Sequence, residues 1–205
     1  QDKDNIRWTQ PELLRYINDA QREIVVRRPD SSTKTVNLML TPEDTRQTIP
    51  EDGVRLIEVT RNMSALGAPG RAVRLTAREA LDAQVPMWPN TTPVAVINQY
   101  VFDLRNPRVF YVYPRPATGV YAEVIYSAAP QDLMNEADVL TLDDIYANAV
   151  IYYVLMRAYQ KDEDYARNTD AANIWAGMFA DNLGTRTQAA GAMNPNNNLG
   201  ADKSR

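Results

Sequence analysis

The chain has 205 residues, 44 % of them hydrophobic and 23 % charged, so it is long enough and apolar enough to fold without disulfide or metal staples. Its 22 basic and 26 acidic residues give a formal charge of −4, which argues against a dedicated nucleic-acid-binding protein. It contains no cysteine and no histidine, which excludes thiolate nucleophiles, sulfur-ligated metals and histidine general bases.

The first predicted element is a helix over residues 10–28. Thr9-Gln-Pro-Glu12 has the pattern of a capping box, in which the two side chains satisfy free backbone N–H groups at the start of a helix. Apolar residues recur behind it at helical spacing, and Pro29 ends the pattern.

A β-rich region is predicted next, over residues 34–127. A short helix interrupts it, because Thr76-Ala-Arg-Glu79 is a second capping box and Pro86 closes the segment behind it. Residues 63–71 contain glycine and proline and are predicted to form an exposed loop. Before that loop the candidate strands are 34–40, 45–49 and 54–60, the last of which also fits a helical turn.

Three further strands are predicted to form an antiparallel meander, at 98–104, 109–113 and 120–126. Alternation places four apolar side chains of the third strand on one face: Val120, Ala122, Val124 and Tyr126. Tyrosine is unusually frequent, with 11 residues against three phenylalanines. Because tyrosine tolerates half-burial and is enriched at interfaces, core packing and subunit contact are both open for Tyr111, Tyr113, Tyr121 and Tyr126.

The last third is predicted to be a helical pair. The first helix starts at 141–144 and runs to about residue 161, and the second runs to about residue 183 with Gly184 just past its end. The core stripe of the first helix is Ile145, Ala149, Tyr152, Met156 and Tyr159, and it is widened by Val150, Tyr153 and Val154.

The expected fold class is therefore α+β: mainly a helical bundle, with an antiparallel β meander or hairpins inserted between its first and later helices. Residues 1–188 are predicted to be a single domain, in which the bundle takes 8–29 and 141–184. Residues 189–205 lose all periodicity and are predicted to be a disordered or extended C-terminal arm.

No catalytic, cofactor-binding or metal-binding residue is predicted. The dense carboxylate clusters are Asp143 with Asp144 and the run 162–164, which fit a helix start and a solvated turn better than a metal or acid–base site. Asp162 is a candidate ion-pair partner for Arg15 or Arg22. The segment Gly67-Ala-Pro-Gly70 lacks the Gly-Lys-Ser/Thr end of a phosphate-binding loop.

Candidate partner-binding residues lie in two places. Trp88 is flanked by two prolines, so it either plugs the core or is displayed. In the tail, Met193 and Leu199 are apolar anchors within an Asn-rich segment. The complete set of candidates is Met193, Asn194, Pro195, Leu199, Trp88, Tyr111 and Tyr113. No run of 18 apolar residues exists, so neither a membrane span nor a signal segment is expected.

The order of these features resembles the head-to-tail adaptor, or connector, proteins of tailed bacteriophages. The resemblance covers about residues 6–190. Its residues are Trp8 with the helix 12–23, Leu81-Asp82 leading to Pro86-Met-Trp-Pro89, Phe102-Asp103 through Asn106-Pro107 to Tyr113-Pro114-Arg-Pro116, Tyr126-Ser-Ala-Ala-Pro130, and Arg157-Ala-Tyr-Gln-Lys-Asp162.

The resemblance implies a non-enzymatic virion protein that is made in the host cytoplasm. Such adaptors form a dodecameric ring beneath the portal protein and receive the tail tube or nozzle on the other face, while DNA passes through the lumen without specific binding. An acidic chain suits such a lumen, since a basic lining would hold phosphates. The alternatives are a carboxylate-dependent hydrolase, either a glycosidase or a Mg²⁺ enzyme, and a soluble scaffold or interaction module that forms no ring.

Overall fold

The computed structural model describes residues 7–161 and 166–193. The chain divides into two compact units: a helical unit from residues 1–31 and 130–205, and a β unit from residues 32–129. This confirms the α+β fold class. The extents of the single domain and of the arm that the sequence suggested stay predictions.

The helical unit is a bundle of α1 (Gln10–Arg27), α3 (Ala147–Gln160) and α4 (Ala166–Met193). One cluster of buried side chains joins the three helices and the segment that precedes α3. It consists of Ala20, Ile24, Val25, Leu142, Tyr146, Ala149, Val150, Phe179 and Leu183. The predicted bundle is thereby confirmed.

The N-terminus of α1 begins where the sequence predicted, but the capping box does not form. Thr9 is the N-cap residue and its side chain makes no capping hydrogen bond. The Glu12 carboxylate instead accepts hydrogen bonds from Lys161 Nζ at 2.6 Å and from the Tyr16 hydroxyl at 2.8 Å. These contacts, the lysine first, lower the pKa of Glu12. Lys161, at the end of α3, therefore binds the Glu12 carboxylate that would have accepted a backbone N–H in the capping box.

The predicted core stripe of α3 is confirmed except at its first position, since Ala149 and Val150 are buried and Tyr152, Tyr153 and Val154 pack against the same cluster. A 3-10 turn, Asp144–Tyr146, precedes the helix, and its Asp143 cap accepts a hydrogen bond from the Ile145 backbone N–H at 3.3 Å. Ile145 is consequently 52 % exposed, while Tyr146, Ala149 and Val150 are buried. Ile145 departs from the stripe because it lies in the 3-10 turn and not in the helix.

The predicted end of α4 at about residue 183 is also wrong. The helix continues through Gly184 to Met193, so the first five residues of the expected arm are helical. A glycine costs a helix only about 1 kcal/mol relative to alanine. The residues that follow are mostly good helix formers, and the next proline is Pro195. Residues 194–205 lie outside the described part of the chain.

The β unit contains two four-stranded sheets, a short helix α2 (Arg78–Gln84) and one shared core. The strands are β1 (Thr33–Met39), β2 (Arg46–Thr48), β3 (Gly53–Met63), β4 (Pro69–Ala72), β5 (Arg74–Leu75), β6 (Gln99–Phe102), β7 (Val109–Tyr113) and β8 (Tyr121–Ala128). The first sheet has the order β1-β8-β3-β4, and the second has the order β2-β7-β6-β5.

The third strand of the predicted meander is placed wrongly. β6 and β7 pair antiparallel as expected, but β8 leaves them and pairs with β1 and β3 in the other sheet. The predicted alternation of β8 is confirmed, since its even-numbered side chains are buried in the shared core. A central strand must find partners on both sides, and β1 and β3 are long enough to supply them.

The predicted loop 63–71 is a β-hairpin. β4 pairs with β3, and the turn between them spans residues 64–68. The region 54–60, for which a helical turn was also open, belongs to the long strand β3. Glycine and proline correctly indicated the turn. Because Pro69 and Gly70 also lie in β4, the same residues led this short strand to be predicted as loop.

Candidate functional site

One candidate surface lies on the outer side of the second sheet, where α2 and a 3-10 turn, Trp88–Asn90, cover the strands. Trp88 is only 2 % exposed and packs with Leu81 and Val101. Its indole Nε1–H donates to Asp82 Oδ1 at 2.6 Å, so the polar end of the ring is satisfied within the unit. The sequence left open whether Trp88 plugs the core or is displayed at the surface. The structure shows that it plugs the core.

Tyr111 and Tyr113 reach the surface beside that plug and are both half-buried. The Tyr111 ring meets Trp88 edge-on at a centroid distance of 6.2 Å, and the Arg78 guanidinium lies 5.5 Å from the Tyr111 centroid. We call Arg78, Tyr111 and Tyr113 the tyrosine face. Tyrosine and arginine are both enriched in the cores of protein interfaces. A role for these residues in partner binding stays a proposal.

The other two tyrosines singled out from the sequence differ from each other. Tyr121 is half-buried, whereas Tyr126 is buried and donates its hydroxyl to Asp52 Oδ1 at 3.0 Å. Lys34 Nζ donates to the other oxygen of Asp52 at 2.6 Å. The lysine, and secondarily the tyrosine, lower the pKa of Asp52, and burial raises the pKa of Tyr126.

A second candidate surface is an apolar groove in the helical unit, with a volume of about 440 Å³. Its walls come from α1, the N-terminal half of α3 and the segment between residues 133 and 140. We call it the helical groove; its lining is Leu14, Ile17, Leu133, Asn135, Glu136, Asp138, Leu140, Ala147, Val150 and Ile151. Ile151 is 52 % exposed, so the groove leaves apolar surface open to solvent.

Two amides on α1 hold the loop wall of this groove. Asn18 donates from Nδ2 to the Leu133 carbonyl at 3.0 Å and accepts from the Leu133 backbone N–H at 2.8 Å. Gln21 is fully buried; its Nε2 donates to the Gln131 carbonyl at 3.4 Å, and its Oε1 accepts from the Thr141 backbone N–H at 3.3 Å.

The sequence reasoning missed this pair of amides. Asn18 and Gln21 are two amides three residues apart within the otherwise apolar stripe of α1, which was the available signal. Buried amides of this kind need partners, and an irregular segment supplies free backbone groups.

The loop wall is also fixed from within. Asp138 Oδ2 accepts hydrogen bonds from the backbone N–H groups of Met134 at 2.7 Å and Asn135 at 2.9 Å. These two bonds lower the pKa of Asp138. At its other end, Asp132 binds the Arg22 guanidinium at 2.6 Å. The segment therefore has a defined shape although it contains no regular secondary structure.

The carboxylate clusters form no catalytic arrangement among the described residues. Asp143 is an N-cap, and no group of three or more acidic side chains there is placed to hold a metal ion. Arg22 pairs with Asp19 and Asp132, while Asp162 and the rest of its cluster lie outside residues 7–161 and 166–193. None of the helices described is long and apolar enough to cross a membrane.

The tail candidates are only partly placed. Met193 is the last residue of α4, and Asn194, Pro195 and Leu199 lie beyond the described residues. The structure therefore brings Trp88, Tyr111 and Tyr113 together but does not test the tail.

A model of the SU10 adaptor protein family matches residues 1–199 of this chain. The match spans both compact units and almost the whole length. No curated protein sequence matches the chain.

Proposed function

This chain belongs to the SU10 adaptor protein family, a family of phage structural adaptors, and we propose that it is the head-to-tail adaptor in the virion of a tailed bacteriophage. In this proposal a dodecameric ring of the chain binds the portal protein on one face and the tail tube or nozzle on the other. DNA passes through its lumen. The match over residues 1–199 is the observation that carries the proposal.

The surfaces of the two units support a role in assembly. The tyrosine face and the helical groove both expose apolar or aromatic area that a ring with two further partners could cover. Interface cores are enriched in tyrosine and arginine, both of which the tyrosine face presents. An assembly protein must offer several such surfaces, one for each neighbour.

The charge distribution suits a passage for DNA. Residues 32–129 carry ten basic and nine acidic side chains, and the rest of the chain carries twelve basic and seventeen acidic ones. Phosphate contacts with lysine and arginine release counterions and hold DNA. A chain without basic excess lets the genome slide past.

The C-terminal arm is proposed to dock on the portal. Its proposed contacts are Met193, at the end of α4, and Asn194, Pro195 and Leu199 behind it. Each subunit of a ring contributes one arm, so a weak contact per arm is multiplied by avidity. Deleting residues 194–205 leaves α4 intact and should leave the melting temperature unchanged while reducing incorporation into portal-containing heads. Equal incorporation of the truncated and full chains would remove the arm from the proposal.

The proposed function is tested by adding purified chain to portal-containing heads and imaging them by negative-stain electron microscopy. We expect added density at the portal vertex. Portal-free heads are the matched control and should gain none. Chain that binds neither preparation, or both equally, would contradict the proposal.

A hydrolase is the competing function class, and activity measurements distinguish it. We expect no turnover of glycoside or phosphoester substrates with or without Mg²⁺. Turnover that co-purifies with the chain and disappears in Asp143→Asn would show that the carboxylates do chemistry.

A further inference from the structure

The hairpin of β3 and β4 ends in an exposed leucine. Leu66 is 98 % exposed, the highest value among the large hydrophobic side chains described. The turn that carries it is well bonded: the Ser64 hydroxyl oxygen accepts from the Ala68 backbone N–H at 2.9 Å, and the Ser64 carbonyl accepts from the Gly67 N–H at 3.0 Å. Gly67 has a φ of 83°, which favours glycine. The leucine is thus presented on a defined turn.

The chain leaving this turn is basic. Arg71 on β4 and Arg74 on β5 are both exposed, and neither forms an ion pair with any residue in the described ranges. Leu75, next to Arg74, is 64 % exposed. The hairpin and the strand after it therefore combine an apolar tip with two unneutralised positive charges.

The helical groove has the complementary chemistry. Its floor is apolar, and its lining includes the carboxylates Glu136 and Asp138 but no lysine or arginine. The segment 130–144 carries five acidic side chains and no basic one. An occupant with an apolar tip and flanking arginines would match the groove in both polarity and charge.

We propose that the Leu66 hairpin of one copy docks in the helical groove of a second copy. Two different surfaces of the same chain then meet. Such a heterologous contact closes into a ring when the rotation between neighbouring copies allows it. The proposal deepens the function proposed above, since it names a contact between neighbouring adaptor subunits. The contact is small, so it is weak in the free protein and is strengthened by repetition around a ring.

The chain contains no cysteine, so single engineered thiols report contacts without background. Leu66→Cys and Ile151→Cys are made in separate proteins, mixed, and treated with a short bis-maleimide. A product that carries both thiols can then arise only between two copies. The matched control replaces Leu66→Cys by Leu104→Cys, another exposed leucine of the β unit, 67 % exposed.

We expect the 66–151 product to exceed the 104–151 product at least tenfold, and to exceed the 66–66 product. Equal yields of the 66–151 and 104–151 products would overturn the docking proposal, as would a dominant 66–66 product, which would indicate hairpin-to-hairpin contact. If a bound partner protein occupied the groove instead, the 66–151 product would be absent.

Charge variants test the electrostatic part on the same mixture. Arg71→Glu with Arg74→Glu should lower the 66–151 yield several-fold, and Glu136→Arg in the groove protein should restore part of it. High salt should lower the wild-type yield. Unchanged yields in all three would overturn the charge complementarity.

The outcome is separable from that of the proposed function. Chain that binds portal-containing heads without 66–151 cross-linking keeps the function and loses this contact. The 66–151 cross-link without binding to heads would support this contact and contradict the proposed function.

Discussion

The two compact units bury their apolar side chains in different ways. In the β unit, two sheets close over a core whose largest members, such as Phe110 and Leu56, are almost completely shielded. In the helical unit, small residues such as Ala20 and Ala149 bring α1 and α3 together, and an apolar groove stays open beside them. The comparison indicates that the β unit presents its partner surfaces as projecting side chains on a closed core, whereas the helical unit presents its own as an open groove in the bundle.

Large-to-small substitutions in the two cores should lower the unfolding free energy more than any other change proposed here. Phe110→Ala should cost about 3–5 kcal/mol of unfolding free energy, because the surrounding sheets cannot collapse into the space. Phe179→Ala should cost less within the same range, because the long Arg27 side chain, whose guanidinium lies 5.0 Å from the Phe179 ring centroid, can move into part of the space left by the ring.

Denaturant unfolding can follow each unit separately. Trp88 is the only tryptophan in residues 32–129, so a background of Trp8→Phe and Trp175→Phe reports on the β unit by fluorescence. Circular dichroism of the same samples follows the helices. A greater cost for Phe179→Ala than for Phe110→Ala would reverse the comparison.

Removing the amide that holds the groove wall has the next largest effect. Asn18→Ala should cost about 1–3 kcal/mol, because it leaves the N–H and C=O of Leu133 unpaired. It should also increase hydrogen exchange at residues 131–141 without affecting the β unit. Arg22→Ala, which removes only an exposed ion pair to the same segment, is the matched control. Equal effects of the two variants would show that the amide has no special role.

Loss of the hydrogen bond at the polar end of Trp88 should have a smaller effect on the unfolding free energy. Trp88→Phe keeps most of the ring packing and loses the hydrogen bond to Asp82, so it should cost about 1 kcal/mol. The far-ultraviolet spectrum should be unchanged, and the stability of the β unit, followed by amide hydrogen exchange because the tryptophan reporter is removed, should fall. A variant as unstable as Trp88→Ala would mean that shape rather than the hydrogen bond decides the fit.

The smallest effect expected is electrostatic. Because Lys34 and Tyr126 lower the pKa of folded Asp52, this group stabilises the β unit above the ordinary carboxyl pKa, and the contribution is lost as the pH falls through the folded value. The pair is partly exposed, so Asp52→Asn should cost less than about 1 kcal/mol at neutral pH. Wild type and variant should converge in stability at acidic pH; a constant difference from pH 7 to pH 3 would contradict this assignment.

The elements of the fold could largely be predicted from the sequence, because the first helix and the strand at 109–113 are marked by local patterns and turn residues. The pairing of the strands could not be predicted. The sequence pattern of β8 is the same whether the strand continues a meander or pairs with β1 and β3, because alternation determines which face is buried but not which strand is adjacent.

The candidate surfaces were predictable only in part. The tyrosines were visible as a composition signal, but the helical groove depends on how a loop without secondary structure is held by Asn18 and Gln21. Likewise, the exposed Leu66 was hidden in a segment that reads simply as a loop. Surfaces made by tertiary contacts leave little trace in local periodicity.

The central claim, that this chain is a head-to-tail adaptor assembling on the portal, is tested most directly by the mass of the complex with purified portal protein. Mass photometry should show the portal gaining a defined multiple of the 23.1 kDa chain, one copy for each portal subunit. A portal mass that is unchanged at saturating concentrations of the chain would contradict the account.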